Sequence, residues 1–181
     1  MGPKVLQGGF ESALILCYPT EMNLAETGGF SSSELIAQAQ TLTLASLTLR
    51  DAVSIGQSTA RIAELKTLPV SIEVRIGSWC VYHISLDGAS EGHDSWIDRK
   101  CAVVEHSKNA SLLELVLCEE NDVSWYEMNG LSENEFAANG GAIPLKLHNS
   151  TLAGVLIVSG LAGPDDHGLA VAGLQSFLGE R

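Results

Sequence analysis

The stretch from Val70 to Leu86 constrains this chain more than any other. Val70, Ile72, Val74 and Ile76 alternate with Ser71, Glu73 and Arg75, and a period of two marks a strand with one face on a core. Gly77-Ser78 supplies a two-residue turn of the glycine-first kind. Trp79 to Leu86 then runs back and is closed by Asp87-Gly88. A two-residue loop sets Ile76 opposite Trp79, Val74 opposite Val81 and Ile72 opposite His83. That register places His83 on the apolar face, and a slip of one residue would turn it to the other side.

A second hairpin follows the same logic. Ile143, Leu145 and Leu147 alternate, Asn149-Ser150 turns, and Leu152 to Val158 returns. Pro144 cannot donate to a ladder, so its strand is expected at an edge or beside a bulge. Thr41 to Leu44 alternates as a further short strand. Thr48 with Asp51 forms a capping box that opens a helix to about Lys66, with Ala52, Ile55, Gly56, Thr59, Ala60 and Ala63 as its inner stripe. These are mostly small residues, so the helix can lie close on a sheet. Ser32 or Ser33 can cap a helix carrying Leu35, Ile36 and Ala39. Ser95 with Asp98 opens another to about His106, with Trp96, Ile97, Cys101 and Val104 on its apolar side. Leu112 to Leu117 fits a strand or a buried helix equally, since periodicity does not separate them. A short helix is expected around Glu133 to Ala138, and Gly163-Pro164 leads into a last helix through Phe177. Residues 1–31 are expected to be an N-terminal arm, with one short strand through Leu14, Ile15 and Leu16. Residues 32–181 are expected to form a single α+β domain: a five-stranded antiparallel sheet packed by helices.

Charge narrows the partners. With 22 acidic against 10 basic residues the chain carries a net charge of −12, which repels phosphate backbones and anionic bilayers at long range. Neither nucleic acid nor membrane is an expected partner. The four cysteines form no CxxC pair, and a domain this long needs no disulfide staples, so a reducing compartment is expected. With no long apolar core near the N-terminus, the expected location is the cytoplasm.

Several motifs in order resemble the haem-degrading domain family: Asp51-Ala52 at a helix start, Pro69-Val70 entering a hairpin, Arg99-Lys100 within a helix, Gly140-Gly141-Ala142-Ile143-Pro144, and Gly154 through Val158-Ser159-Gly160. Asp94-Ser95-Trp96-Ile97-Asp98-Arg99-Lys100 and the ending Ser159-Gly160-Leu161 followed by Asp166-His167 are similar to a stand-alone branch of it. The family includes glycolate-operon G-like proteins, secreted haem-binding proteins and the C-terminal domain of some corrinoid adenosyltransferases. The resemblance implies a profilin-like layered fold, assembly into homo-oligomers and, in some members, a haem or corrinoid ligand. His93 departs from the branch pattern, which usually has Asn there.

The candidate ligand-binding residues are His83, Asp94, Trp96, Lys100, Gly140, Gly141, Ser159, Asp166 and His167, with haem or a related tetrapyrrole as the candidate ligand. Each has an ordinary alternative. Asp166 at a helix start is stabilised by the helix dipole alone, by about 0.3–1 kcal/mol. His167 beside it is disfavoured as an imidazolium, leaving either a neutral ligand or a cap partner. His83 on an apolar face reads first as a hydrogen-bonded core histidine. Asp94 before a helix serves as a cap. Gly140-Gly141 either cradles an anion with backbone N–H groups or makes a tight turn. Lys100 either meets that anion or lies over Trp96. Ser159 with His167 lacks a third partner for nucleophilic chemistry, and no GxSxG or phosphate loop is present. A ligand-free module that docks a protein partner is the alternative function.

Overall fold

The structure is a computed structural model that describes residues 24–180; the strand expected at Leu14 to Leu16 lies outside them. In chain order the elements are α1 (Leu24–Thr27), α2 (Ser32–Thr41), β1 (Thr43–Leu44), α3 (Leu49–Leu65), β2 (Ser71–Ile76), β3 (Trp79–Ser85), α4 (Gly92–Ser107), α5 (Ser111–Asn121), α6 (Trp125–Asn129), β4 (Ala142–Leu147), β5 (Leu152–Ser159) and α7 (Gly163–Gly179). Five strands form one sheet in the order β1-β4-β5-β2-β3. The sheet is mixed, because the two-residue β1 runs parallel to β4 while the other three pairings are antiparallel.

The sheet is the middle of three layers. Ile72, Val74, Leu156, Val158, Ile143 and Leu145 face one way and bury against α3, α7, α2 and α5. Glu73, Arg75, Val155, Ile157 and Ala142 belong to the other face, which α4 covers with Ile97, Cys101 and Val104. β2 is therefore buried on both sides, including Ser71 and Glu73, where alternation alone anticipates a half-buried strand. Among the described residues, no helix is long and apolar enough to cross a membrane.

Local chemistry accounts for most element boundaries. The Thr48 hydroxyl accepts the Asp51 N–H while the Asp51 carboxylate accepts the Thr48 N–H, so α3 starts where its sequence places it. Pro144 sits in β4 at a level that β1 does not reach, since β1 pairs only with Lys146 and Leu147; its missing N–H leaves no ladder bond unmade, and a register shift follows at Leu145/Lys146. Leu112 to Leu117 resolves as helix, inside α5. Three other expectations are corrected. The cap of α2 is Ser31, boxed with Glu34, not Ser32 or Ser33. α4 begins at Gly92, so Ser95 and Asp98 lie inside it rather than capping it. The short helix is α6, and residues 133–135 form a turn.

The most consequential correction concerns the first hairpin. Its turn is the expected Gly77-Ser78, and Ile76 does face Trp79. A bulge at Val74/Arg75 then inserts one extra residue into β3, so Val74 faces Tyr82, Glu73 faces His83 and Ile72 faces Ile84. One inserted residue exchanges the faces of everything beyond it. His83 consequently lies on the α4 side of the sheet opposite a buried glutamate, not on the apolar face.

Contact between α3 and α7 depends on Gly173, where an added Cβ would stand 1.9 Å from Thr59 Oγ1 and 2.9 Å from Thr59 Cα. Thr59 is fully buried, and its hydroxyl donates to the Ile55 carbonyl. Gly173→Ala is expected to lower stability by about 1–3 kcal/mol through overpacking. Urea denaturation checks this as a lower midpoint at unchanged slope.

Candidate functional site

The α4 layer is one helix wide and leaves part of its face of the sheet uncovered. At the end of β5 this gap becomes a cleft of about 280 Å³, lined by His93, Trp96 and Lys100 of α4, by Ser159, Gly160 and Leu161 at the β5–α7 turn, by Gly163 and Asp166 of α7, and by Asn139. Its floor is an ion pair. Lys100 Nζ donates to Asp166 Oδ2 at 2.7 Å and to the Val158 carbonyl at 3.1 Å, with the two side chains only 3% and 1% exposed. The Leu161 N–H donates to the other Asp166 oxygen at 3.0 Å. Burial pulls the Lys100 amine below its ordinary value, an effect that Asp166 opposes. Burial likewise pushes the Asp166 carboxyl up, opposed by Lys100 and by the N–H groups of Leu161 and Gly160. Both shifts run toward the uncharged forms, the signature of charges held out of water.

Gly141 makes room for this pair. It adopts φ +126°, and a Cβ there would fall 2.3 Å from the Val158 carbonyl oxygen and 2.7 Å from Lys100 Nζ. Gly140 is equally confined, 2.0 Å from the Gly163 carbonyl oxygen by the same measure. The two glycines therefore back the cleft and do not line it. Of the other candidates, Trp96, Lys100, Ser159 and Asp166 meet in the cleft. Trp96 is 40% exposed there and is covered by Arg99, 4.6 Å from its ring centroid, instead of by Lys100.

His83 and Asp94 lie further along the same sheet face, outside the cleft lining. His83 Nδ1 is 2.9 Å from Glu73 Oε2, and its Nε2 is 3.3 Å from Ser85 Oγ and 3.9 Å from Asp94. Glu73 also pairs with Arg75, which reaches Asp98 on α4. This charged chain fastens the β2–β3 hairpin to α4. His167 points away from the cleft altogether. It is 1% exposed, its Nε2 donates to Gln38 Oε1 of α2 at 2.8 Å, and Phe30 packs edge-on at 5.9 Å. Burial lowers it to about 4, so it is a neutral core histidine on the other side of α7.

The cleft also contains residues that pattern reading passes over. His93 registers in the sequence only as a departure from a family pattern, yet its ring is half-buried at the cleft with Nδ1 buried and unbonded among the described residues. Leu161 falls within the Ser159-Gly160-Leu161 ending without being a candidate itself, and Asn139 carries no motif and arrives through loop geometry. The described residues contain no cluster of three or more side chains able to hold a metal ion. Cys101 beneath α4 is pushed up to about 12 by burial and is inert as a nucleophile.

Comparison with known proteins places the chain in a family. A family model described as haem degrading protein HbpS-like matches residues 47–175. A UPF0303 protein of Streptomyces avermitilis is 34% identical over 145 residues, spanning 80% of this chain and 89% of that protein. The fold matches the crystal structure of the Ybr137w protein with a TM-score of 0.74 at 24% identity, over 82% of this chain and 88% of that one. It also matches the PduOC–haem complex with a TM-score of 0.62 at 16% identity, over 72% and 94%.

Two measurements test the buried groups. Lys100→Met is expected to cost about 3–5 kcal/mol by stranding the Asp166 charge, and the double change Lys100→Met with Asp166→Leu to recover most of it; chemical denaturation of the three proteins completes the cycle. For His167, the unfolded chain takes up a proton below about pH 6.5 while the folded one resists until about pH 4. Its contribution is thus full above pH 6.5 and falls by up to about 3 kcal/mol as pH drops to 4. Denaturation midpoints across that range should flatten in His167→Gln.

Proposed function

Because the chain belongs to the HbpS-like family of haem-degrading proteins, we propose that it is a homo-oligomeric binding protein whose cleft receives the carboxylate-bearing edge of a tetrapyrrole such as haem. The observation that carries this reading is His93, a ring at the cleft with one buried nitrogen unbonded among the described residues. A neutral imidazole nitrogen is a common protein donor to haem iron, and this one, buried in the structure, would reach the iron by a turn of the half-buried ring. Beside it, Lys100 has three N–H donors and commits two of them within the protein, leaving one for a carboxylate.

Size decides how much of the ligand enters. Sites for drug-sized ligands occupy about 300–1,000 Å³, and this cleft has about 280 Å³. A propionate-bearing edge fits; the whole macrocycle does not. The remainder would lie against the exposed face of Trp96. Bound haem would supply the redox chemistry, and the chain's part is to bind and orient it. The assembly half of the reading is supported by β3, which forms one edge of the sheet and carries Trp79 at 60% exposure.

Haemin titrated into the purified chain should shift the Soret band and saturate at one haem per chain. His93→Ala should abolish the shift, and Trp96→Ala should weaken binding about tenfold, a loss of about 1.4 kcal/mol. His167→Ala should leave the spectrum as in the wild type, because that ring faces away from the cleft. An unchanged Soret band on adding haemin rejects the reading, and native mass spectrometry reads the subunit number in the same samples.

A further inference from the structure

The floor of the cleft presents a second chemistry that does not depend on a tetrapyrrole. Among the described lysines, Lys66 and Lys108 are exposed and Lys146 is half-buried, while Lys100 is sealed at the inner end of the cleft. A buried amine that opens onto a polar cleft, with a carboxylate at 2.7 Å, has the parts needed for carbonyl chemistry. We propose that Lys100 condenses with the carbonyl group of a small 2-oxo acid bound in the cleft, with Asp166 as proton acceptor and counter-ion.

Every step has a named partner. Asp166 Oδ2, which already accepts a hydrogen bond from the ammonium, takes one proton and frees the amine. The nitrogen lone pair attacks the carbonyl carbon, a C–N bond forms, and the C=O π pair moves onto oxygen. That oxygen takes one proton from the nitrogen and one back from Asp166, the C–O bond breaks, and water leaves. The product is a protonated imine on Lys100 facing the Asp166 carboxylate. One positive charge is present before and after, so the buried aspartate is never left without its partner, a condition that burial imposes.

The surroundings select the substrate class. A volume of about 280 Å³ admits a compound of a few carbons. Ser159 and Asn139 line the same space, offering a hydroxyl and an amide to a carboxylate beside the carbonyl. Gly141, with no side chain, lets Nζ sit where a Cβ would otherwise stand. Desolvation pulls the amine below its ordinary value, which favours the free base.

The test is reductive trapping on the full chain. Incubation with pyruvate and cyanoborohydride near neutral pH should add one carboxyethyl group per chain, located at Lys100 by peptide mapping and formed at least about tenfold faster than on Lys66 or Lys108. Lys100→Arg keeps the charge facing Asp166 and should abolish the adduct. If that variant does not fold, the map of the wild type alone decides. No adduct, or label spread over the exposed lysines at equal rates, overturns the proposal. Trapping and haemin binding are separate readouts, so failure of one leaves the other standing.

Discussion

The contact between Lys100 and Asp166 is the constraint on which the rest of this structure turns. α4 packs on one face of the sheet and α7 on the other, and this pair joins them beyond the end of β5. Neither charge is tolerable at that depth without the other. Satisfying both fixes their neighbours: the Val158 carbonyl and the Leu161 N–H are drawn into the bonding, and Gly141 has to be a glycine because Nζ and a carbonyl oxygen occupy the place of its Cβ. The cleft is the space left over once those atoms are arranged.

How much of this could be read from the sequence depends on whether the controlling force is local. The cap at Thr48 and Asp51, the Gly77-Ser78 turn and the alternation of β2 and β4 are decided within a few residues, and these elements stand where the pattern puts them. Leu112 to Leu117 was ambiguous by its own composition, and tertiary burial among α2, α4 and β4 resolved it as helix. The start of α4 misleads because Ser95 and Asp98 have the spacing of a cap while Gly92 and His93 already follow the helix. The Val74/Arg75 bulge leaves no mark in the residue pattern. It pairs Val74 with Tyr82 and Glu73 with His83, and it alone moves His83 from one layer to the other.

The candidate site shows the same division. Trp96, Lys100, Ser159 and Asp166 come together because the motifs that contain them sit at the ends of elements converging on one corner of the sheet. His167 follows Asp166 directly, yet adjacent residues on a helix point about 100° apart. With Asp166 committed to the cleft, His167 is turned toward α2 and Gln38. His93 could not be found by motif, since its significance lies in a ring nitrogen that is buried and unbonded among the described residues.

The two faces of the sheet explain why chemistry collects where it does. The face under α3 and α7 is apolar along β2, β4 and β5. The α4 face carries Ser71, Glu73, Arg75 and Ser159 in strand positions that are buried or half-buried. A core built only for stability would place apolar residues there, and replacing buried ion pairs by well-packed hydrophobic groups is often neutral or favourable. Glu73 with Arg75 and His83, Arg75 with Asp98, and Lys100 with Asp166 add directional contacts to the non-directional burial of Ile97, Cys101 and Val104. A helix held that way has one register and one tilt, which is what a cleft formed by its first turns requires. The polar composition beneath α4 is thus the physical reason that His93, Trp96 and Lys100 share a single, defined opening.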